Sequence, residues 1–309
     1  MESKQYTTEA GVVLNYYKEG DTGPKLVMIH GQGTSSASFE DVTHVLSRDM
    51  QVYLIDCPGH GGSTKDPAIY TLAGCGDAIL ELITNVIGGP IALLGHSSGG
   101  LIAAYTASKS VLCARLILED PPFFSCVGER RKDFYNYVDL STACHDYLNG
   151  GREEEEDFVL YYFDHQYAWN LFPDKTRAKT KAKLMKSARK YRAKHPYEDL
   201  QVMFWPSEGF IGMNSYDPRF GEAFYSDSFN EGADYEEILK GIKCRTLFMK
   251  AKNEEGDGGI IQGALAEEDL ERVAALVPRF QLQRFSCGHS IHIDRNGDFN
   301  RAMKKFILK

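Results

Sequence analysis

One short stretch, residues 91–100, constrains the fold of this chain more than any other. It reads I-A-L-L-G-H-S-S-G-G, an apolar run followed by a turn in which Ser97 stands between Gly95 and Gly99. The small residues at 101–107 are typical of a helix. A strand, a sharp turn and a helix lift a serine hydroxyl onto an exposed tip, where flanking glycines avoid collisions that a Cβ would cause. The pattern therefore predicts that Ser97 is a nucleophile.

The rest of the chain places this turn in a sheet whose strands alternate with helices. Apolar runs predict strands at 12–17, 25–30, 51–56, 91–94, 114–119, 244–251 and 280–286. Helical periodicity occupies 37–47, 71–87, 101–107, 267–276 and 299–307. This alternation indicates crossover connections and a mostly parallel sheet of the α/β class, flanked by helices.

The alternation stops in the middle of the chain. Residues 121–235 have a helical pattern with no convincing strand, and we interpret them as a helical lid inserted after the sixth strand. Such a lid would cover the carboxyl edge of the sheet, where open α/β folds bind their ligands. We therefore expect a core made of 1–120 and 236–309 and a lid made of 121–235.

Charge and cysteine content narrow the possible partners. A net charge of −8 argues against nucleic acid or an anionic membrane as a partner. The seven cysteines are odd in number and follow no pairing pattern, which favours a reducing compartment. No signal-like apolar segment opens the sequence, and no run of about 18 apolar residues occurs. We expect a cytoplasmic protein that acts on a small molecule, with its oligomeric state left open.

Four motifs in order carry a resemblance to a known family. They are H-G-Q-G at 30–33, D-C-P-G-H-G at 56–61, G-H-S-S-G at 95–99 and G-H at 288–289. Together they resemble the α/β-hydrolase superfamily, in particular its lid-bearing, cofactor-independent serine hydrolases of the esterase and lactonase type. The resemblance covers the core, at 10–120 and 240–309, and implies neither a cofactor nor a metal ion.

The resemblance gives the serine a base and an oxyanion hole. His289 follows the last strand, where the family has the histidine that takes the serine proton. His289, His292 and Asp294 also look like a metal cluster, but no matching set of ligands lies elsewhere, and we expect His292 to be structural. The oxyanion donors would be the backbone N–H groups of Gln32 and Ser98.

The acid that orients the histidine has two candidate positions. Asp120 ends the strand after the nucleophile, and some family members, lactone-cleaving ones among them, have their acid there. The commoner position follows strand 244–251, where Glu254 stands in an acidic loop that departs from the usual G-x-x-D. Asp120 could instead cap a helix entering the lid, and the loop charges could be only solvated. We favour Asp120, because a carboxylate at a strand end is rigidly held.

The lid is rich in aromatic residues and includes both tryptophans, Trp169 and Trp205. These residues suit either a pocket for an apolar substrate or a small core of the lid itself, and for any single residue we favour the core. An acidic run at 153–157 suits a helix start, and the basic stretch 175–194 suits a solvated helix face.

These features predict a serine hydrolase that cleaves an ester, thioester or lactone of an apolar small molecule through an acyl-enzyme. A serine nucleophile argues against dehalogenase and epoxide hydrolase chemistry, for which the resemblance implies an aspartate. Carbon–carbon bond hydrolysis, amidase activity and a ligand-binding receptor with slow or no turnover stay open, because fold alone does not choose among them. The substrate and its leaving group are not evident from the sequence.

Overall fold

The computed structural model describes residues 2–151 and 157–309, and in them eight strands form one sheet in the order β1-β2-β4-β3-β5-β6-β7-β10. These strands are β1 (Glu2–Thr7), β2 (Val13–Glu19), β3 (Lys25–Ile29), β4 (Gln51–Ile55), β5 (Ile91–His96), β6 (Cys113–Glu119), β7 (Arg245–Lys250) and β10 (Phe280–Arg284). Strand β2 is antiparallel to both of its neighbours, and the other pairs are parallel. The prediction of a mostly parallel sheet is confirmed.

The central strands are apolar on both sides because helices cover both faces of the sheet. In β3, Leu26 and Met28 belong to one layer of the core, whereas Val27 and Ile29 belong to the other. Successive side chains of a strand point to opposite faces, so such a strand reads as a continuous apolar run.

The helices flank the sheet in two groups. One group comprises α2 (Leu72–Leu82), α3 (Ser98–Lys109), α8 (Tyr235–Gly241) and α9 (Glu267–Leu276). The opposite face carries α1 (Glu40–Leu46), the short α10 (Ile291–Asp294) and α11 (Asn296–Leu308). Among the described residues, none of the helices combines the length and apolarity needed to cross a bilayer.

A helical insert follows β6, as predicted. The chain leaves the sheet at Glu119 and returns to it at Arg245, and the described part between them contains no strand. Its longer helices are α4 (Thr142–Asn149), α5 (Phe158–His165), α6 (Asp174–Lys194) and α7 (Pro218–Tyr225). Of the predicted acidic run, 153–156 lies outside the described residues, while Asp157 caps α5 by accepting the backbone N–H of Leu160.

Two strand elements differ from the sequence expectation. Strand β1 was not predicted, because E-S-K-Q-Y-T is polar and largely exposed and owes its conformation to pairing with β2. The acidic loop after β7 contains a small hairpin made of β8 (Glu254–Glu255) and β9 (Ile261–Gln262).

Candidate active site

Ser97 occupies the tight turn between β5 and α3. Its backbone has φ 54° and ψ −124°, a conformation that non-glycine residues rarely adopt. A Cβ on Gly95 would lie 2.1 Å from the carbonyl oxygen of Gly99, and one on Gly99 would lie 2.3 Å from that of His30. The two glycines therefore allow the helix to start against the sheet, and this packing holds the strained serine in place.

The loop after β3 lies directly against this serine. A Cβ on Gly31 would lie 3.0 Å from the Cβ of Ser97. Two residues of the helical insert hold the side chain of Gln32: its Nε2 donates to the hydroxyl of Tyr216 (3.0 Å), and its Oε1 accepts from Nδ2 of Asn136 (3.0 Å). The predicted oxyanion residues Gln32 and Ser98 thus both line the cavity that contains Ser97.

Two buried histidines of the sequence motifs hold this loop in shape. Nε2 of His30 accepts the backbone N–H of Cys57 (3.0 Å), and Nε2 of His60 accepts that of Gly33 (3.2 Å). Burial lowers the pKa of both imidazoles, which keeps them neutral and able to accept. These two hydrogen bonds join the motifs at 30–33 and 56–61 and hold the loop after β3 in its conformation.

His289 and Asp120 are in direct contact. The His289 Nδ1 lies 2.8 Å from Oδ2 of Asp120, whose side chain is completely buried, while the His289 side chain is 34% exposed and lines the same cavity as Ser97. Asp120 has φ 46°, another strained position. The carboxylate of Asp120 contacts His289, and the first helical segment of the described insert begins only at Gly128, so Asp120 does not cap it. The rings of His96 and His289 are 4.7 Å apart, which brings His289 beside the residue preceding Ser97.

A buried lysine supports Asp120 from its other side. Nζ of Lys250, with a side chain that is also fully buried, lies 3.0 Å from Oδ1 of Asp120 and donates to the carbonyl of Ala251 (2.7 Å) and to Oδ1 of Asn253 (2.8 Å). Burial alone would raise the pKa of Asp120, but the hydrogen bond and charge of His289, together with those of Lys250, lower it overall. The carboxylate is therefore ionised at neutral pH.

Glu254, the alternative acid, has a different partner. It is exposed in the β8–β9 hairpin, where its Oε1 pairs with Nζ of Lys252 at 2.8 Å. Residues of this hairpin line part of the cavity, but the carboxylate in contact with His289 is that of Asp120.

A second carboxylate–imidazole pair lies next to the first. Oε1 of Glu119 is 2.8 Å from Nδ1 of His292 and accepts the backbone N–H of the same residue at 2.9 Å. Together with His96, these residues bring potential metal-ligand atoms to within 4.8 Å of one another. Of the three residues that look like a metal cluster in the sequence, His289, His292 and Asp294, this group contains only His292. Glu119 carried no recognisable signal, being one acid at the end of an apolar strand.

The cavity above Ser97 has a volume of about 680 Å³. Core loops form its floor and the insert forms much of its wall, with aromatic and apolar side chains that include Phe134, Tyr135, Tyr137, Leu140, Tyr162, Met213 and Phe224. Four of the lining residues, Tyr137, Asp139, Leu140 and Ser141, belong to one π-helical turn (Tyr137–Ser141). Irregular turns of this kind frequently occur at functional sites.

The tryptophans of the insert do not belong to this wall. Trp169 is buried against Phe163, Phe172 and Trp205, and its indole N–H donates to the carbonyl of Phe163 (2.6 Å). The two tryptophans thus form a small core within the insert, whereas Tyr162, which directly precedes Phe163 in α5, lines the cavity.

Comparison with known proteins agrees with the fold. Protein phosphatase methylesterase 1 from Bos taurus is 32% identical over 119 residues, which are 36% of this chain and 31% of that protein. The chain thus spans about a third of the length of that curated relative. An esterase from Rhodococcus sp. ECU1013 superposes with a TM-score of 0.67 at 19% identity, covering 100% of this chain and 99% of its own. The enol-lactonase from Burkholderia xenovorans LB400 gives 0.66 at 16% identity, with 99% and 100% covered.

At such low identities the superpositions concern the fold alone. The sequence model of the alpha/beta hydrolase family matches residues 26–302, a much longer stretch than the 119 residues aligned with the methylesterase. The serine turn between β5 and α3 and the helical insert after β6 lie within this span, whereas β1 and β2 precede it. The chain therefore belongs to the alpha/beta hydrolase family.

Proposed function

We propose that the protein is a serine hydrolase that cleaves a carboxylic ester, thioester or lactone of an apolar small molecule. The observation that carries this proposal is the 2.8 Å contact between Nδ1 of His289 and Oδ2 of Asp120. His289 lines the same cavity as Ser97. The methylesterase, esterase and lactonase activities named for similar proteins support a carbonyl ester as the target.

The reaction would proceed through an acyl-enzyme. Nε2 of His289 takes the Ser97 proton as the serine oxygen attacks the carbonyl carbon, while Asp120 holds the Nδ1–H and stabilises the imidazolium. The backbone N–H groups of Gln32 and Ser98 stabilise the negative oxygen of the tetrahedral intermediate. His289 then gives its proton to the leaving alcohol or thiol, and a water molecule activated by the same histidine hydrolyses the acyl-enzyme.

The cavity supports an apolar substrate of moderate size. A volume of about 680 Å³ falls in the range of small-molecule sites, and the aromatic wall formed by the insert suits an acyl chain or a ring. The negative overall charge speaks against a nucleic-acid partner, and the seven free thiols support the cytoplasm as the compartment.

A fluorophosphonate probe tests the nucleophile. We expect rapid labelling of the wild-type protein and none of Ser97→Ala. Labelling without turnover of a panel of p-nitrophenyl esters and aromatic lactones would instead favour a receptor, a carbon–carbon bond hydrolase or an amidase. Absence of labelling in the folded wild-type protein would contradict the proposal.

The acid is tested by a matched pair of isosteric variants. On an activated ester, Asp120→Asn should lower kcat by about 10⁴-fold, because the amide presents the wrong group to the Nδ1–H of the histidine. Glu254→Gln removes the same charge from an exposed residue that pairs with Lys252, and we expect less than about a twofold change. Equal losses in both variants, or no loss in Asp120→Asn, would contradict the assignment.

A further inference from the structure

Two carboxylate–imidazole pairs join the same two segments of the chain side by side. Glu119 and Asp120 are consecutive residues at the end of β6, and His289 and His292 lie three residues apart where the chain enters α10. Asp120 contacts His289 at 2.8 Å, and Glu119 contacts His292 at 2.8 Å. The end of β6 therefore holds residues 289–292, the histidine segment, at two points.

The second pair is too deeply buried to meet a substrate. Glu119 is 0% exposed and His292 2%, whereas the His289 side chain is 34% exposed to the cavity. One oxygen of Glu119 accepts both the ring Nδ1–H and the backbone N–H of His292, which fixes the ring and the start of α10 together. Hydrogen bonds to a charged group are stronger than neutral ones, and burial prevents water from competing for them.

His96 links this pair to the nucleophile. Its ring is 4.7 Å from that of His289 and 4.9 Å from that of His292, and it immediately precedes Ser97 in the chain. Burial lowers the pKa of His96 well below its ordinary value, so the ring packs as a neutral group. The histidine segment is thus fixed against β5, which carries Ser97, as well as against β6.

From this geometry we propose that Glu119 and His292 form a positioning pair, which sets the location of His289 relative to Ser97 without taking part in the chemistry. This inference rests on the proposed function. Misplacement of a catalytic group by about 1 Å can cost roughly 10²-fold in rate. Loss of the pair should therefore lower kcat, while the cavity wall, which determines substrate binding, stays unchanged.

A metal ion is the competing explanation for the same cluster. Two histidines and a carboxylate are common ligands, and Oε2 of Glu119 and Nε2 of His292 have no hydrogen-bond partner among the described residues. The Nδ1 contact fits the positioning pair, because a carboxylate oxygen that already accepts a backbone N–H also accepts the Nδ1–H of the same residue. This contact excludes only Nδ1 as a metal ligand, since Nε2 of His292 keeps its lone pair, and the variants below therefore distinguish the two explanations.

The test compares two substitutions of His292. Asn Nδ2 occupies nearly the position of His Nδ1, so His292→Asn preserves the donor to Glu119 but is a poor metal ligand. His292→Leu removes the donor. With kcat expressed per active site titrated by the acyl-enzyme burst, we expect His292→Leu to lose 10- to 100-fold in kcat with KM within about threefold. His292→Asn should stay within about fivefold of the wild type.

Two further variants separate positioning from folding. If His292→Leu leaves Glu119 unpaired and does not fold, Glu119→Met/His292→Leu replaces the whole pair by apolar side chains, a change that is often neutral for stability. It should show the same loss of kcat. Glu222→Gln is the matched control, because Glu222 forms a carboxylate–imidazole pair with His145 (2.9 Å) in the insert, away from the cavity. We expect less than a twofold change in it.

Each outcome is decisive. An unchanged kcat in the folded variants that lack the pair would overturn the inference, as would stoichiometric zinc in the purified protein that His292→Asn loses together with activity. Rapid fluorophosphonate labelling of Ser97 with no effect of His292→Leu would reject the positioning pair alone. A wild-type protein that is not labelled would reject the proposed function itself.

Discussion

The buried ion pair between Lys250 and Asp120 gives a quantitative prediction about stability. Lys250→Met preserves the length of the side chain but removes an ammonium 3.0 Å from the Asp120 carboxylate, in a place where both groups are fully buried. Removal of one partner of a buried pair costs about 3–5 kcal/mol, because the remaining charge is left uncompensated. Since domains are stable by about 5–15 kcal/mol, this loss is large but measurable.

A double-mutant cycle isolates the contribution of the pair. Urea denaturation at pH 7 would be measured for the wild type, Lys250→Met, Asp120→Asn and the double variant. Once both charges are gone, neither stays unpaired, so the double variant should be more stable than the sum of the single losses by about 2 kcal/mol or more. Additivity to within about 0.5 kcal/mol would refute the assigned interaction.

The same pair determines the behaviour in acid. The pKa of Asp120 is lowered in the folded protein, so its contribution to stability is complete above the ordinary carboxyl pKa and is lost as the pH falls through the lowered value. Without Lys250, one of the groups that lower this pKa is gone. The acid unfolding transition of Lys250→Met should therefore start at a higher pH than that of the wild type, as followed by circular dichroism. A transition at the same pH would contradict this.

Three further predictions concern other parts of the site. Gly99→Ala would place a Cβ 2.3 Å from a backbone carbonyl and should destabilise the protein by about 3 kcal/mol in urea unfolding, whereas Gly297→Ala, with 3.8 Å to a flexible side chain, should be neutral or stabilising. Burial raises the pKa of Asp139 to about 6, so the folded state binds this proton more tightly than the unfolded chain. The free energy of unfolding should therefore fall by up to about 3 kcal/mol as the pH rises from 4 to 6. Asp139→Asn should flatten that dependence, and an unchanged slope would contradict the prediction. Tyr216→Phe removes the acceptor of the Gln32 side-chain amide and should lower kcat by about 3- to 10-fold in steady-state assays, where unaltered kinetics would show that this tether does not matter.

Much of the fold was predictable because its signals are local. Gly95 and Gly99 are required by close backbone contacts, and the apolar strands reflect a sheet covered on both faces. Strand β1 escaped prediction, since its polar residues adopt an extended conformation only by pairing with β2. The strands and helices that face solvent least were therefore the most predictable ones.

The sequence does not distinguish Asp120 from Glu254 as the candidate acid, because each of them follows a strand. The contact that favours Asp120 is non-local. Glu119 pairs with Met249 in the register of β6 and β7, so the next residues, Asp120 and Lys250, come together across the sheet edge. Nothing in the local pattern identifies a lysine at the end of an apolar strand as the partner of an acid 130 positions earlier.

The aromatic residues of the insert were equally indistinguishable in the sequence. Tyr162 and Trp169 both belong to the aromatic-rich segment, yet Tyr162 lines the cavity and Trp169 packs inside the insert. Helical spacing identifies one buried face but not the object against which it packs. Only the tertiary packing of the insert separates the two environments.

The tether between Gln32 and the insert has a consequence for chimeric enzymes. Asn136 and Tyr216, which hold the Gln32 side chain, come from opposite ends of the insert, so exchanging it for that of a relative would remove both anchors of a core loop. A transplanted insert would have to supply equivalent amide and phenol groups. Without them the chimera would have a new cavity wall, but the core loop that carries Gln32 would lose its anchors. A chimera should therefore exchange the loop that carries Gln32 together with the insert, and not the insert alone.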